Sequence, residues 1–247
     1  LRAEGMTPTD RATGSILSAM AAVGTFRLGG TIVGTNAFRL YEGELGIRLP
    51  LGGIANTGDI DIAQFEKLSI ALQDQVDPGL AETFSSLKFA PVPGLDKGRT
   101  WRWAQGGSGQ LVEFLTPAFG DETIRDLPAL GVGAQALNYL NFLIAEPIHA
   151  AAIYRSGILV QVPRPERFAV HKLIIADRRR DGAGSLKSAK DREQAAFLVE
   201  AMAEDRPDDL ARAYVTALKV GPRWRAHIGN SLKRMPDTEA ILESLGV

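Results

Sequence analysis

Two aspartates one residue apart, Asp59 and Asp61, interrupt the apolar run of "IANTGDIDIAQ". In an extended chain alternate residues share a face, so Ile60 and Ile62 turn one way and both carboxylates turn the other. Neighbouring carboxylates on one face repel, and one of them keeps its proton unless a cation bridges the two. Nothing basic stands next to them in the chain. A divalent metal ion is the economical compensation, because hard cations take carboxylate oxygens and often keep phosphate oxygens as further ligands. The alternative is a solvated strand end that carries two acids. The pair alone leaves both readings open.

Other residue types narrow the chemistry by exclusion. The chain has no cysteine, which rules out disulfides, zinc–thiolate sites and thiol nucleophiles and fits a reducing cytoplasm. Its three histidines are scattered at positions 149, 171 and 227, with neither metal-ligand spacing nor a Ser-His-Asp arrangement, and His171 reads as a packing or surface residue. "GGTIVGT" lacks the Gly-Lys-Ser/Thr ending of a P-loop, and the Gly-x-Gly-x-x-Gly dinucleotide pattern is absent.

The bulk properties are those of a soluble globular protein: 45% hydrophobic and 23% charged residues in a chain of 247. No apolar run approaches the roughly 20 residues that span a membrane. The first residue is Leu1 rather than Met, which reads as processing or trimming, and "GSILSAMAAVG" is too weakly hydrophobic for a signal peptide. Net charge is −1, but residues 164–234 hold 16 Lys and Arg against 10 Asp and Glu, while the remainder holds 12 against 19. An acidic body joined to a basic C-terminal third suits a metal–polyphosphate ligand held between them, and equally suits ordinary surface variation.

The elements that must position the two aspartates are legible in part. Thr9–Ala22 has helical spacing, with Thr9 or Asp10 as N-cap. "TFRLGGTIVGTNAFRLYEGELG" passes from a β-rich stretch into a helix opening near Gly34, with Val33, Ala37, Leu40 and Tyr41 on one face. "IRLPLGGIANTG" is a loop or hairpin around Pro50 and Gly52-Gly53, followed by the strand through Ile60. Helices are expected over Phe65–Val76 and Pro78–Leu87, then strands at "LKFAPVPG", "RTWRWAQ" and "QLVEFLTP". β-like character continues over Asn138–Phe168, with a hairpin turn at Arg155-Ser156-Gly157. Beyond Pro165 the pattern is helical, with "DGAGS" as a loop and "KSAKDREQAAFLVEAMAED" as the second helix. The expected architecture is an α/β (α+β) body with a mixed or antiparallel sheet over residues 1–165, and an all-helical C-terminal domain over 166–247.

The order of these features carries more than any one of them. A strand runs into Gly34-Thr35 at a helix start, Asp-x-Asp lies on a later strand, Glu113 lies in the apolar strand "QLVEFLTP", and a helix beyond the sheet carries Lys172. This resembles the nucleotidyltransferase fold superfamily, the group around DNA polymerase beta. More narrowly, "VGTNAFRLYEGELG", "TGDIDIA" and "HKLIIADRR…KSAKDREQA" look like bacterial nucleotidyltransferases related to abortive-infection and toxin–antitoxin enzymes, over roughly Phe26 to Phe197.

The resemblance implies a mixed sheet flanked by helices and a transfer of a nucleoside monophosphate from NTP to an acceptor hydroxyl, with release of pyrophosphate. Asp59 and Asp61 would hold Mg²⁺ or Mn²⁺ against the phosphates, and Glu113 would complete a catalytic, metal-binding triad nearest the acceptor. At Gly34 the missing Cβ lets backbone approach a triphosphate at a helix start, and Thr35 adds a hydroxyl donor. Lys172 would neutralise β/γ-phosphate charge, and Lys190 with Asp191 matches a Lys-Asp pair that opens the next helix. The acceptor is a tRNA end, a protein side chain or a small molecule, and an antitoxin or other protein partner belongs to the same expectation. Two departures stand out: the third acid of the family is more often Asp, and the interval from Gly34 to Asp59 exceeds the usual spacer, although the narrower family shares it. Alternative readings are a nucleotide-binding module without turnover and a structural partner of a toxin–antitoxin pair.

Overall fold

The protein is described from a computed structural model, which covers residues 1–50, 53–55, 57–94, 98–181 and 184–246. Leu51, Gly52 and Asn56 of the loop before Asp59, and Gly182 and Ala183 of "DGAGS", lie outside the described residues. The chain divides into two compact units, Leu1–Leu49 with Ala55–Pro163, and Arg164–Val247 with Pro50–Ile54. No described helix is long and apolar enough to cross a membrane.

The first unit opens with helix α1 (Arg11–Ala22), whose N-cap Asp10 accepts a hydrogen bond from the Thr13 amide at 2.9 Å. Strand β1 (Thr31–Val33) runs directly into α2 (Gly34–Leu45), which buries Ala37, Phe38 and Tyr41 completely and ends at Gly46 in the left-handed conformation. The Glu42 carboxylate of α2 is buried but satisfied: it accepts from the Thr7 amide (2.6 Å), the Thr7 hydroxyl (3.1 Å) and the Leu49 amide (3.2 Å). Strand β2 (Asp59–Ala63) is followed by α3 (Glu66–Ala71) and α4 (Leu80–Ser86). Both helices are shorter than their patterns suggest, because Gln73 turns left-handed at φ 50° and α4 starts only after Pro78-Gly79.

The remaining strands are β3 (Phe89–Pro91), β4 (Arg102–Gln105), β5 (Leu111–Pro117), β6 (Ile124–Leu127) and β7 (Val132–Leu137). They complete a seven-stranded mixed sheet in which β5 is central. β2 lies parallel along one side of β5, while its other side is shared by antiparallel β4 and parallel β7. β1 caps the far edge of β2 antiparallel, with Val33 opposite Asp61. One sheet face is core: Ile60, Ile62, Val112 and Phe114 are fully buried, and Phe84 packs on Phe89, Trp103 and Phe114 with ring centroids 5.3–6.1 Å apart.

Two further local expectations differ from the structure. Strands β6 and β7 fall in a stretch to which the pattern assigns no element: β7 is built largely from Gly133, Ala134 and Ala136, which carry little β signal. The β-like run after Asn138 begins instead with a helical turn, α5 (Leu140–Leu143), entered through Tyr139 at φ 73°. Its second half does form the expected hairpin, β8 (Ile148–Ala152) and β9 (Ile158–Val162), with Arg155 and Gly157 at positive φ in the turn.

The second unit is helical: α6 (Pro165–Arg178), α7 (Ser185–Asp205), α8 (Pro207–Val220), α9 (Pro222–Leu232) and α10 (Pro236–Ser244). Four of these start on proline, whose fixed φ and missing N–H suit the first helical position. α6 is the hub, packing against α7, α8 and α9, and its Phe168, Val170, Leu173 and Ile174 are all fully buried.

Candidate active site

The chain before β2 is fixed by Thr57, whose hydroxyl accepts from the Asp59 amide at 3.1 Å. From there the strand alternates: Ile60 and Ile62 are buried, while Asp59 and Asp61 are half-buried on the opposite face. β5 repeats the rhythm, with Val112 and Phe114 buried and Glu113 half-buried. The parallel register sets Asp61 directly beside Glu113. In the other direction this face closes: Thr31, Ala63 and Leu115 are all buried. The three carboxylates therefore stand at the open end of one sheet face.

The start of α2 meets that end. An ideal Cβ at Gly34 would lie 2.4 Å from Oδ2 of Asp61, closer than any real contact, and Gly34 sits at φ +66°. The positive φ favours glycine, and a side chain here would force the Asp61 carboxylate to shift. The sequence gives Gly34 a role in approaching phosphate; the geometry adds that its bare Cα makes room for the Asp61 carboxylate. Thr35 follows, half-buried in the first turn, and Asn36 ties the helix to the strand by donating from Nδ2 to the Asp59 carbonyl at 2.7 Å.

Glu113 has a partner that the sequence order does not reveal. Arg102 of β4 sits opposite it in register, with Nε 2.6 Å from Oε1 of Glu113. Among the described residues no three His, Asp or Glu side chains converge closely enough to hold a metal ion. Asp59, Asp61 and Glu113 are thus adjacent by register without forming a closed triad. Their donor chemistry still suits a hard divalent cation: carboxylate oxygens on one half-exposed face, beside a helix start with a glycine cradle. Asn36 and Arg102 are the two residues here that sequence reasoning misses, because each becomes relevant only through a pairing with a distant strand.

Lys172 and Lys190 belong to the helical unit. Lys172 is neither a solvated cation nor at the margin of the apolar face: it is 7% exposed, with Nζ 2.5 Å from Oδ1 of Asp191 and 5.2 Å from the Phe168 ring centroid. Arg179 adds a second contact to Asp191 at 2.9 Å. α7 begins at Ser185, so Lys190 and Asp191 lie in its second turn instead of opening it, and Lys190 is half-buried. His171 is buried, consistent with a packing role. Nearby, burial pushes the Asp177 carboxyl up, but hydrogen bonds from His227 and Asn230 and the charge of Arg180 outweigh it and hold it below the usual range.

A nucleotidyltransferase family model matches residues 11–219, most of both units. The fold is similar to that of an antigenic nucleotidyltransferase-like protein from Paracoccidioides brasiliensis, with a TM-score of 0.51 and 14% identity over 96% of this chain and 94% of that one. At that identity the likeness concerns the fold. No curated protein matches the sequence.

Proposed function

The chain belongs to the nucleotidyltransferase family, and from that premise we propose that it moves a nucleoside monophosphate from an NTP to an acceptor hydroxyl, using Asp59, Asp61 and Glu113 with Mg²⁺ or Mn²⁺. The observation that carries this reading is the register: Asp61 lies beside Glu113 across β2 and β5, with Asp59 on the same face and Gly34 pressed against the Asp61 carboxylate.

Each residue has a physical task. Asp59 and Asp61 supply hard oxygen ligands on one face, and the phosphates supply others. Gly34 keeps the start of α2 open, where backbone N–H groups and the Thr35 hydroxyl face anionic oxygen. Glu113 stands beside Asp61 and serves the acceptor end of the reaction. The acceptor oxygen forms a bond to the α-phosphorus as the bond from that phosphorus to the β-bridging oxygen breaks. Pyrophosphate leaves, and the hydroxyl proton passes to a carboxylate of this face. A divalent ion, when bound, stabilises the charge on the attacking and leaving oxygens.

The test is incubation with each α-labelled NTP, with and without Mg²⁺, in the presence of total tRNA, protein lysate or small-molecule extract. Metal-dependent labelling of one acceptor class is expected, and its loss in Asp59→Asn/Asp61→Asn ties it to this site. A second reading, a nucleotide-binding module without turnover, has one observation in its favour: Glu113 is engaged by Arg102. That reading requires NTP binding with no labelled acceptor at all.

A further inference from the structure

Glu113 stands between two neighbours at one level of the sheet. Asp61 is its register partner on β2, and Arg102 is its register partner on β4. The carboxylate is turned to Arg102, whose Nε lies 2.6 Å from Oε1. Backbone register thus brings three acids to one place, yet no three acidic or histidine side chains among the described residues converge on a metal-sized point. For Glu113 the side chain is held at Arg102.

The pair is built to be exchanged. Its side chains retain 37% (Arg102) and 18% (Glu113) exposure, and although Arg102 Nε is shut from water it forms no hydrogen bond with the carboxylate, so the contact is a weakly held ion pair. Arg102 also has a second resting place: its guanidinium carbon lies 4.3 Å from the centroid of the Trp101 ring, so losing Glu113 does not strand the cation. We infer that Arg102 is a displaceable counter-ion for Glu113, a positioning residue that withholds the third carboxylate from Asp59 and Asp61 until a divalent cation competes for it. This rests on the metal-binding reading proposed above.

The test is Mn²⁺ binding followed by electron paramagnetic resonance, without nucleotide or acceptor, on wild type, Arg102→Met, Glu113→Gln and the double variant. Methionine keeps an apolar stem over Trp101, and Arg102→Gln serves as a second variant if Arg102→Met does not fold. Removing the competitor is expected to tighten Mn²⁺ binding about two- to fivefold. In the Glu113→Gln background the same removal should change nothing, so the double variant should match Glu113→Gln alone. Arg102→Lys, which keeps a cation within reach, should stay near wild type. A gain that persists with Gln at 113 would make Arg102 a remote charge and overturn the inference. Unchanged affinity in Arg102→Met, with wild-type binding that depends on Asp59 and Asp61, would overturn it and leave the metal reading standing. No Mn²⁺ binding by wild type or by Arg102→Met would remove both.

Discussion

Glu113 in the sheet and Asp191 in the helical unit are both carboxylates facing an arginine, yet their surroundings differ in the one respect that decides their use. The Asp191 side chain retains 3% exposure between Lys172 and Arg179, and the side chain of Lys172 retains 9% while that of Arg179 retains 45%. Glu113 and Arg102 retain 18% and 37%. For the buried pair of Lys172 and Asp191 the desolvation of both charges is offset chiefly by each other, with Arg179 reaching in from water, so removing one leaves a poorly compensated ion in a poor solvent for it. On the sheet face water substitutes for a lost partner at small cost. The same chemistry is therefore fixed by folding in one unit and exchangeable in the other. Motif order marks both Lys172 and the acids as phosphate and metal ligands; burial separates them.

The strongest way to break this contrast is to remove the acids on β2. Asp59→Asn with Asp61→Asn should lower nucleotidyl transfer at least about a thousandfold, equivalent to about 4 kcal/mol of transition-state stabilisation. The stabilisation conferred by Mg²⁺ with NTP should vanish as well, since a ligand stabilises only the state that binds it. Thermal unfolding without ligand should barely change, because both side chains are half-exposed. A collapse of stability instead would place these acids with Asp191 as structural groups.

Lys172→Met tests the other side. Leaving Asp191 with Arg179 as its remaining partner should destabilise the protein by about 3 kcal/mol in urea unfolding, with NTP affinity of the folded fraction within a few-fold of wild type. Unchanged stability together with a tenfold or greater loss of NTP affinity would reverse the assignment and make Lys172 a phosphate ligand. Glu113→Gln follows closely in size. It should cut single-turnover transfer about a hundredfold, about 2.7 kcal/mol, while NTP titration stays within a few-fold, because the substrate's own phosphates help hold a metal that lacks one protein ligand. Near-wild-type transfer would leave Glu113 as the ion-pair partner of Arg102 and nothing more.

What could be read in advance follows from how far each signal reaches along the chain. The strand-to-helix step at Val33-Gly34, the alternation around Ile60 and the N-cap at Asp10 are local, and each is present in the structure. Helices α7 and α8 are legible for the same reason, since their buried residues recur with helical spacing. β6 and β7 are not legible, because Ala and Gly in β7 announce no strand and its burial comes from pairing with β5. The site divides along the same line. Asp59 and Asp61 declare themselves by adjacency, whereas Arg102 becomes a neighbour of Glu113 only through the β4–β5 register. The tight fit of Gly34 against Asp61 and the burial of Lys172 are likewise tertiary facts.

The smallest effect expected is also the one that isolates the buried cluster by pH. His171 adjoins Lys172 on α6, and burial, reinforced by the Lys172 charge, pulls its pKa down to about 3; Asp191 pulls the other way, and Arg179 and Arg178 add to the depression. An unfolded chain restores a histidine to about 6.5. Above that value both states are neutral and His171 gives no pH dependence. Below it the unfolded state takes up a proton that the folded state refuses, so stability falls as pH falls, all the way to about 3. Between pH 7 and pH 5 the loss amounts to about 2 kcal/mol. Glu166 works in the opposite sense, because burial raises its pKa and folding then gains from protonation as pH drops. The wild-type slope is the difference of the two. Comparing His171→Leu with wild type in urea titrations at pH 7 and pH 5 removes the Glu166 contribution common to both. The variant should be the less acid-sensitive protein by about 2 kcal/mol, whatever the leucine does to stability at pH 7. Equal slopes would mean that His171 is open to protonation in the folded state, and the sealed character assigned to the cluster around Asp191 would fail with it.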